Sequence, residues 1–195
     1  MEATSGTLCR VVGMCLLASG WGIPDGWADD PGAPLSKTGQ TTRYRAGDDG
    51  QLEKGVAWPA PRFTDHGNGT VTDHLTQLVW MKNANCWPRQ NWDNTLNAVA
   101  ALNAGSQSCS GYTTGTHSDW RVPNIDEMQS LFDYGRAAKL STGHPFTAVQ
   151  NSIYWSSTTY AGSTSSAWNL SFNNGAVGTS TKTGINYVWP VRGGP

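Results

Sequence analysis

Charge is scarce in this chain. Only 14% of its 195 residues are Asp, Glu, Lys or Arg, and the net charge is −1. Long-range attraction to nucleic acid or to an anionic membrane is therefore not expected. Acidic side chains stop after Asp133, and beyond Lys139 the Lys and Arg residues are limited to Lys182 and Arg192. The C-terminal third thus lacks the paired carboxylates that general acid–base chemistry uses. Cysteine stops at Cys109, which leaves no thiol for redox work in that third. His66, His74, His117 and His144 are scattered, without His-x-His or His-x-x-x-His spacing, so neither metal nor other cofactor is expected. The most apolar stretch, Val11 to Gly20, is too short to span a bilayer.

Tryptophan and glycine are abundant instead, at 10 and 23 residues. That pairing predicts short strands, tight turns and aromatic packing, with little helix. Arg10, the apolar run after it and Gly26-Trp27-Ala28 read as a secretory signal over 1–28. Cys15 follows Met14 rather than a small residue, so no lipid anchor is expected. Cleavage after Ala28 removes Cys9 and Cys15 and leaves Cys86 and Cys109. An even pair in an exported protein reads as a disulfide, with two free buried thiols as the alternative.

Residues 29–61, rich in Gly, Pro, Asp and Lys, read as an extended arm with Tyr44 and Trp58-Pro59 as docking points. The domain proper is expected over 62–195. Gly67-Asn68-Gly69 marks a turn between two β-prone pieces, Asp73-His74-Leu75-Thr76 a second turn, and Leu78 to Met81 a buried strand. Asn91 caps a helix predicted to run to about Asn103, with Leu96, Val99, Ala100 and Leu102 apolar. Cys86 and Cys109 bracket that helix. Trp120 and Val122 alternate with Arg121 as on a short strand, and Pro123 keeps the chain extended. Asn124 and Glu127 are spaced as a capping box, ahead of the stripe Ile125, Met128, Leu131, Phe132. After Ser141, short alternating strands are separated by runs of Ser, Thr, Asn and Gly. Pro190 predicts an edge or a bulge in the last of them.

These motifs together resemble the Lcl C-terminal-domain family of exported bacterial proteins. The residues that carry the likeness are Arg62-Phe63-Thr64-Asp65 with Gly69 to Asp73, Leu78-Val79-Trp80, Asp119 to Asn124, Tyr154 to Thr158 and Val191 to Gly194. The resemblance implies a fold like that of C-type lectins and formylglycine-generating enzymes. It would be α+β, with two helices, short twisted antiparallel sheets and a large irregular loop face. Some proteins of that fold are variable proteins of diversity-generating retroelements, which bind ligands through C-terminal strands and loops.

By that analogy the expected function is a secreted, periplasmic or cell-surface recognition or adhesion module, not an enzyme, whose partner is a protein or a glycan. Its ligand face is expected at Tyr160, Ser163, Thr164, Ser165, Ser166, Asn169, Ser171, Asn173, Asn174, Thr179, Ser180, Thr181, Lys182 and Asn186. Short hydroxyl and amide side chains there supply donors and acceptors with little rotamer entropy to lose. Strand alternation places Asn169 and Ser171 outward, with Trp168, Leu170 and Phe172 inward. Calcium-dependent sugar binding is not expected, because Leu170 follows Trp168-Asn169 where such lectins have Asp. Asp65 to Gly69 reads as a plain turn rather than a calcium loop. The alternatives are a hydrolase or oxygenase on the same fold, with Asp119, Asp126 and Glu127 as its acids, or a structural envelope or appendage subunit.

Overall fold

The computed structural model describes residues 35–136 and 140–193, so the expected leader lies outside them. In chain order the elements are α1 (Asp49–Leu52), β1 (Phe63–Asp65), β2 (Thr70–Asp73), β3 (Leu78–Met81) and α2 (Trp92–Asn103). There follow α3 (Ile125–Ser130), β4 (Ile153–Thr159), β5 (Ser166–Ser171), β6 (Val177–Thr181) and β7 (Val191–Arg192). They make two antiparallel sheets, ordered β1-β2-β3-β7 and β4-β5-β6. The fold is α+β with few helices, and among the described residues α1 in the arm is the helix that the sequence pattern missed.

The first sheet grows from the two turns marked in the sequence. Asp65 Oδ1 accepts the Gly67 N–H at 2.9 Å, and Asp73 Oδ1 accepts that of Leu75 at 3.0 Å. β7 is held on both sides, by β3 and by mutual backbone hydrogen bonds between Arg121 and Val191. Pro190 stands just before it, where its carbonyl accepts from Met81 and no donor is required. Trp189 joins the two sheets: its indole N–H reaches Met81 O at 2.7 Å, and its ring packs against Trp80, Phe146, Tyr154 and Phe172. The pairs with Trp80 and Phe146 are edge-on, a geometry that adds roughly 0.5–1.5 kcal/mol each beyond the buried area.

α2 starts where Asn91 predicts, its side chain accepting the Asn94 N–H at 2.8 Å. Thr95, Val99 and Leu102 form its buried stripe, at i, i+4 and i+7. Ala100, one of the apolar positions of the predicted helix, lies off that stripe and is exposed. Cys86 and Cys109 are bonded, as expected, and Cys109 is in the core. At α3 the capping box is complete: Asn124 Oδ1 accepts from Glu127 N, and Glu127 Oε2 accepts from Asn124 N, both at 2.8 Å. Met128, Leu131 and Phe132 are buried beneath it.

The arm's described residues belong to the same compact unit as the rest. Ser36 and Val56 form a parallel bridge, with Lys37 N donating to Val56 O and Val56 N to Leu35 O, and the Tyr134 N–H donates to Thr38 O at 2.9 Å. Trp58 docks as expected. Tyr44 does not, being 81% exposed.

Burial holds the imidazoles of His117 and His144 below their ordinary value. Both favour the neutral form when folded, so the unfolded chain takes up protons first as pH falls through about 6.5. The stability they contribute is present above that pH and is lost on acidification toward the folded values. Asp65 and Asp119, held low by Lys82 and Arg192, act in the same sense at lower pH. Asp133, raised by burial, acts oppositely. The urea midpoint is expected to fall between about pH 7 and about pH 5, and to fall less in His144→Gln. An unchanged midpoint would contradict this assignment.

Candidate recognition face

The β4-β5-β6 sheet has two faces of different character. Register places Trp155 beside Asn169, and Ala167 beside Ser180, on one of them. That face is covered by the start of α2: the Trp155 indole N–H donates to Gln90 O at 3.0 Å, and that of Trp92 to Ser156 O at 2.8 Å. The other face carries Tyr154, Leu170 and Trp168, then Val177, Thr179 and Thr181 on β6. α3 packs on this face against β4 and β5. Beyond it Val177, Thr179 and Thr181 are exposed, and among the described residues no strand pairs with the outer edge of β6.

Three predicted site residues, Asn169, Ser180 and Asn186, therefore lie away from the open surface, Ser180 sharing the covered face with Ala167 and Asn169. Asn169 was expected to face solvent, yet it is only 4% exposed, with its amide donating to Ser180 Oγ at 2.9 Å. Alternation correctly puts it opposite Leu170. It does not reveal that the sheet is covered on both sides. Asn186 is also buried, its backbone exchanging hydrogen bonds with Gln90 at 3.0 and 3.1 Å. Trp168, expected in the core, is half-buried and packs edge-on against Tyr160 at 5.4 Å. Its partner across the strands, Thr179, is itself exposed.

The remaining predicted residues fall into two groups. Ser163, Thr164 and Ser165 are exposed in a loop pinned by backbone bonds from Tyr160 to Ser166 and from Ser163 to Tyr160. Lys182 N donates to Ser165 O, which brings the loop after β6 alongside it. Tyr160, Ser166, Thr179 and Thr181 join these loops in one strip, with Ile185 exposed at its end. Lys182 itself is engaged: its ammonium donates to Thr159 at 2.9 Å and sits 4.0 Å over the Trp92 ring. Asn173 and Asn174 are exposed at the opposite end of the β5–β6 hairpin, about 16 Å away at strand rise. Ser171 is half-buried and its Oγ accepts from Asn173 N, so it belongs to that turn.

The strip is a stacking and hydrogen-bonding surface. Two aromatic rings, exposed hydroxyls and short loops fixed by their own backbone bonds supply contact area and directionality. Of the acids weighed as catalytic, Asp126 is exposed in the first turn of α3, and Glu127 and Asp119 sit in structural pairs. Arg121 grips Glu127 through two bonds of 2.6 Å, and Arg192 donates to Asp119 at 2.7 Å. The Arg192 hydrogen bond holds Asp119 below the usual carboxylate range, while the net lowering of Glu127 works against its burial. Among the described residues no three His, Cys, Asp or Glu side chains gather as a metal site would require, and no helix is long and apolar enough to cross a membrane.

The fold and face define a small α+β domain, stapled by one disulfide, with a hydroxyl-rich strip on the open side of its second sheet. The chain belongs to the Lcl C-terminal domain family, whose sequence profile matches residues 69–192. The arm and β1 precede the matched segment. No curated protein matches the chain. The family and the disulfide together point to an exported protein.

Proposed function

We propose that this chain is a non-enzymatic recognition or adhesion module that binds a protein or glycan ligand at a secreted, periplasmic or cell-surface location. The fold is read as C-type-lectin-like, with the strip and its bordering loops as the ligand face. The observation that carries this reading is the make-up of the strip. Tyr160 and Trp168 stand beside Thr179, Thr181 and the Ser163–Ser165 loop, all in a segment of the chain without Asp or Glu. Rigid amphipathic rings with short adaptable hydroxyls are the mixture used in antibody-type paratopes. The rigid hairpin with replaceable outward residues also suits a variable protein of a diversity-generating retroelement. A reverse-transcriptase gene and a near-copy of this segment beside the coding DNA would support that finer reading.

Glycan and peptide arrays probed with the purified protein test the proposal. A ligand is expected whose affinity falls about tenfold or more with Tyr160→Ala or Thr179→Glu, at unchanged melting temperature. Asp119→Asn and Glu127→Gln should leave it bound. Turnover of an array member, abolished by either acid substitution, would replace the reading with a hydrolase. A fixed stoichiometric partner and no soluble ligand would replace it with a structural subunit.

A further inference from the structure

A cleft of about 710 Å³ opens where the arm meets the turn after α3. Small-ligand sites span roughly 300–1,000 Å³. Trp58 and Asp133 line it, with Lys37, Thr42, Arg136 and Thr142 around them. It shares no residue with the strip and does not rest on the reading of the strip.

The cleft is built rather than incidental. The Trp58 indole N–H donates to Lys37 O at 2.9 Å, and the Arg62 guanidinium lies 4.4 Å from the ring, so the indole is held in place. Asp133 is only 4% exposed, yet it lines the cleft, with Oδ1 accepting the Gly135 N–H at 3.0 Å. Gly39 has φ +90°, and a Cβ there would lie 2.3 Å from Asp133 Oδ1 and 2.9 Å from the Trp58 ring. Glycine at 39 is what lets the carboxylate and the indole stand together. Burial also raises the Asp133 carboxyl above its ordinary range, against the pull of the Gly135 N–H. Further donors from a ligand would favour its charged form.

The charges decide the ligand class. Lys37 is paired with Glu53 at 3.1 Å, and Arg136 and Asp133 are opposite in sign within the same lining. Among the described residues of the lining, charges of both signs are present and no single sign dominates. We propose that the cleft binds one unit of a neutral saccharide, with the apolar face of a pyranose on Trp58 and neighbouring hydroxyls donating to Asp133. A carboxylate accepts from two adjacent O–H groups at once, and an indole offers a flat apolar platform.

Neutral methyl glycosides of glucose, mannose, galactose and N-acetylglucosamine, titrated into the full protein by NMR, provide the test. Trp58→Phe identifies the Trp58 indole signal. The expected result is a shift of that signal and of the Gly39 and Gly135 amides with at least one glycoside. Asp133→Asn keeps the shape and the Gly135 bond, and should weaken that binding about tenfold at unchanged melting temperature. No shift at these positions up to the solubility of every sugar would overturn the proposal. So would a response that survives Asp133→Asn, or tighter binding of a methyl glucuronide than of any neutral glycoside.

Discussion

Replacing Arg62 by methionine is expected to destabilise the fold by about 3–5 kcal/mol, the largest single-residue effect anticipated for this chain. Arg62 is 6% exposed and Asp73 is completely buried. The two are joined by parallel hydrogen bonds of 3.1 and 3.0 Å, and Arg62 also donates to Ser130 O at the end of α3. Trp58 and Phe63 flank the guanidinium at 4.4 and 4.8 Å. One side chain thus ties the arm, the β1–β2 hairpin and α3. Removing it leaves the Asp73 carboxylate in the interior with a single donor, the Leu75 N–H. Most of the cost is that uncompensated charge. The double variant Arg62→Met with Asp73→Asn removes the charge and keeps an acceptor for Leu75, so it should recover part of the loss. Urea denaturation of the three proteins measures this. A single variant within about 1 kcal/mol of the parent would show that the pair contributes no more than a surface bridge.

The second large effect lies in the disulfide. Cys86→Ala with Cys109→Ala is expected to lower stability by about 2–4 kcal/mol. The bond joins residues at a sequence separation of 23 and the segment it closes contains all of α2, so losing it frees that segment in the unfolded chain. The folded strip should be left unchanged, because its loops are fixed by bonds among Tyr160, Ser163, Ser165, Ser166 and Lys182. Denaturation in parallel with ligand binding separates the two. Lost stability with unchanged affinity is expected, whereas lost affinity in protein that is still folded would mean that α2 positions the face. In the exported protein, alkylation without reductant should leave both cysteines unlabelled.

What could be read from the sequence was what local chemistry decides. Asn91 and Asn124 are caps because a short side chain must satisfy amides two or three residues ahead, and spacing alone shows that. The turns at Gly67–Gly69 and Asp73–Thr76 are equally local. The paired cysteines were legible through compartment and count. Apart from α1, whose four residues are too few to show a helical period, the failures are long-range. β7 pairs with β3, more than a hundred residues earlier, and no local pattern announces the partner. Asn169 follows its expected alternation, yet the start of α2 buries the face it is on. Trp168 follows it too, and falls where α3 leaves the sheet partly open. Period-two reading tells which residues share a face; it does not tell which face another element will cover. The cleft at Trp58 and Asp133 was invisible for the same reason, since Gly39 and Asp133 meet only through the docking of the arm.

The central claim, that ligands are recognised at the strip, is tested most directly by mapping amide chemical shifts with the first ligand obtained from the arrays. Perturbations should concentrate in residues 160–166 and 177–185, together with the indole of Trp168, and should vanish with Thr179→Glu. Perturbations confined to the Asn173–Asn174 turn, or to Gly39, Gly135 and Trp58 alone, would place that ligand elsewhere and contradict the claim.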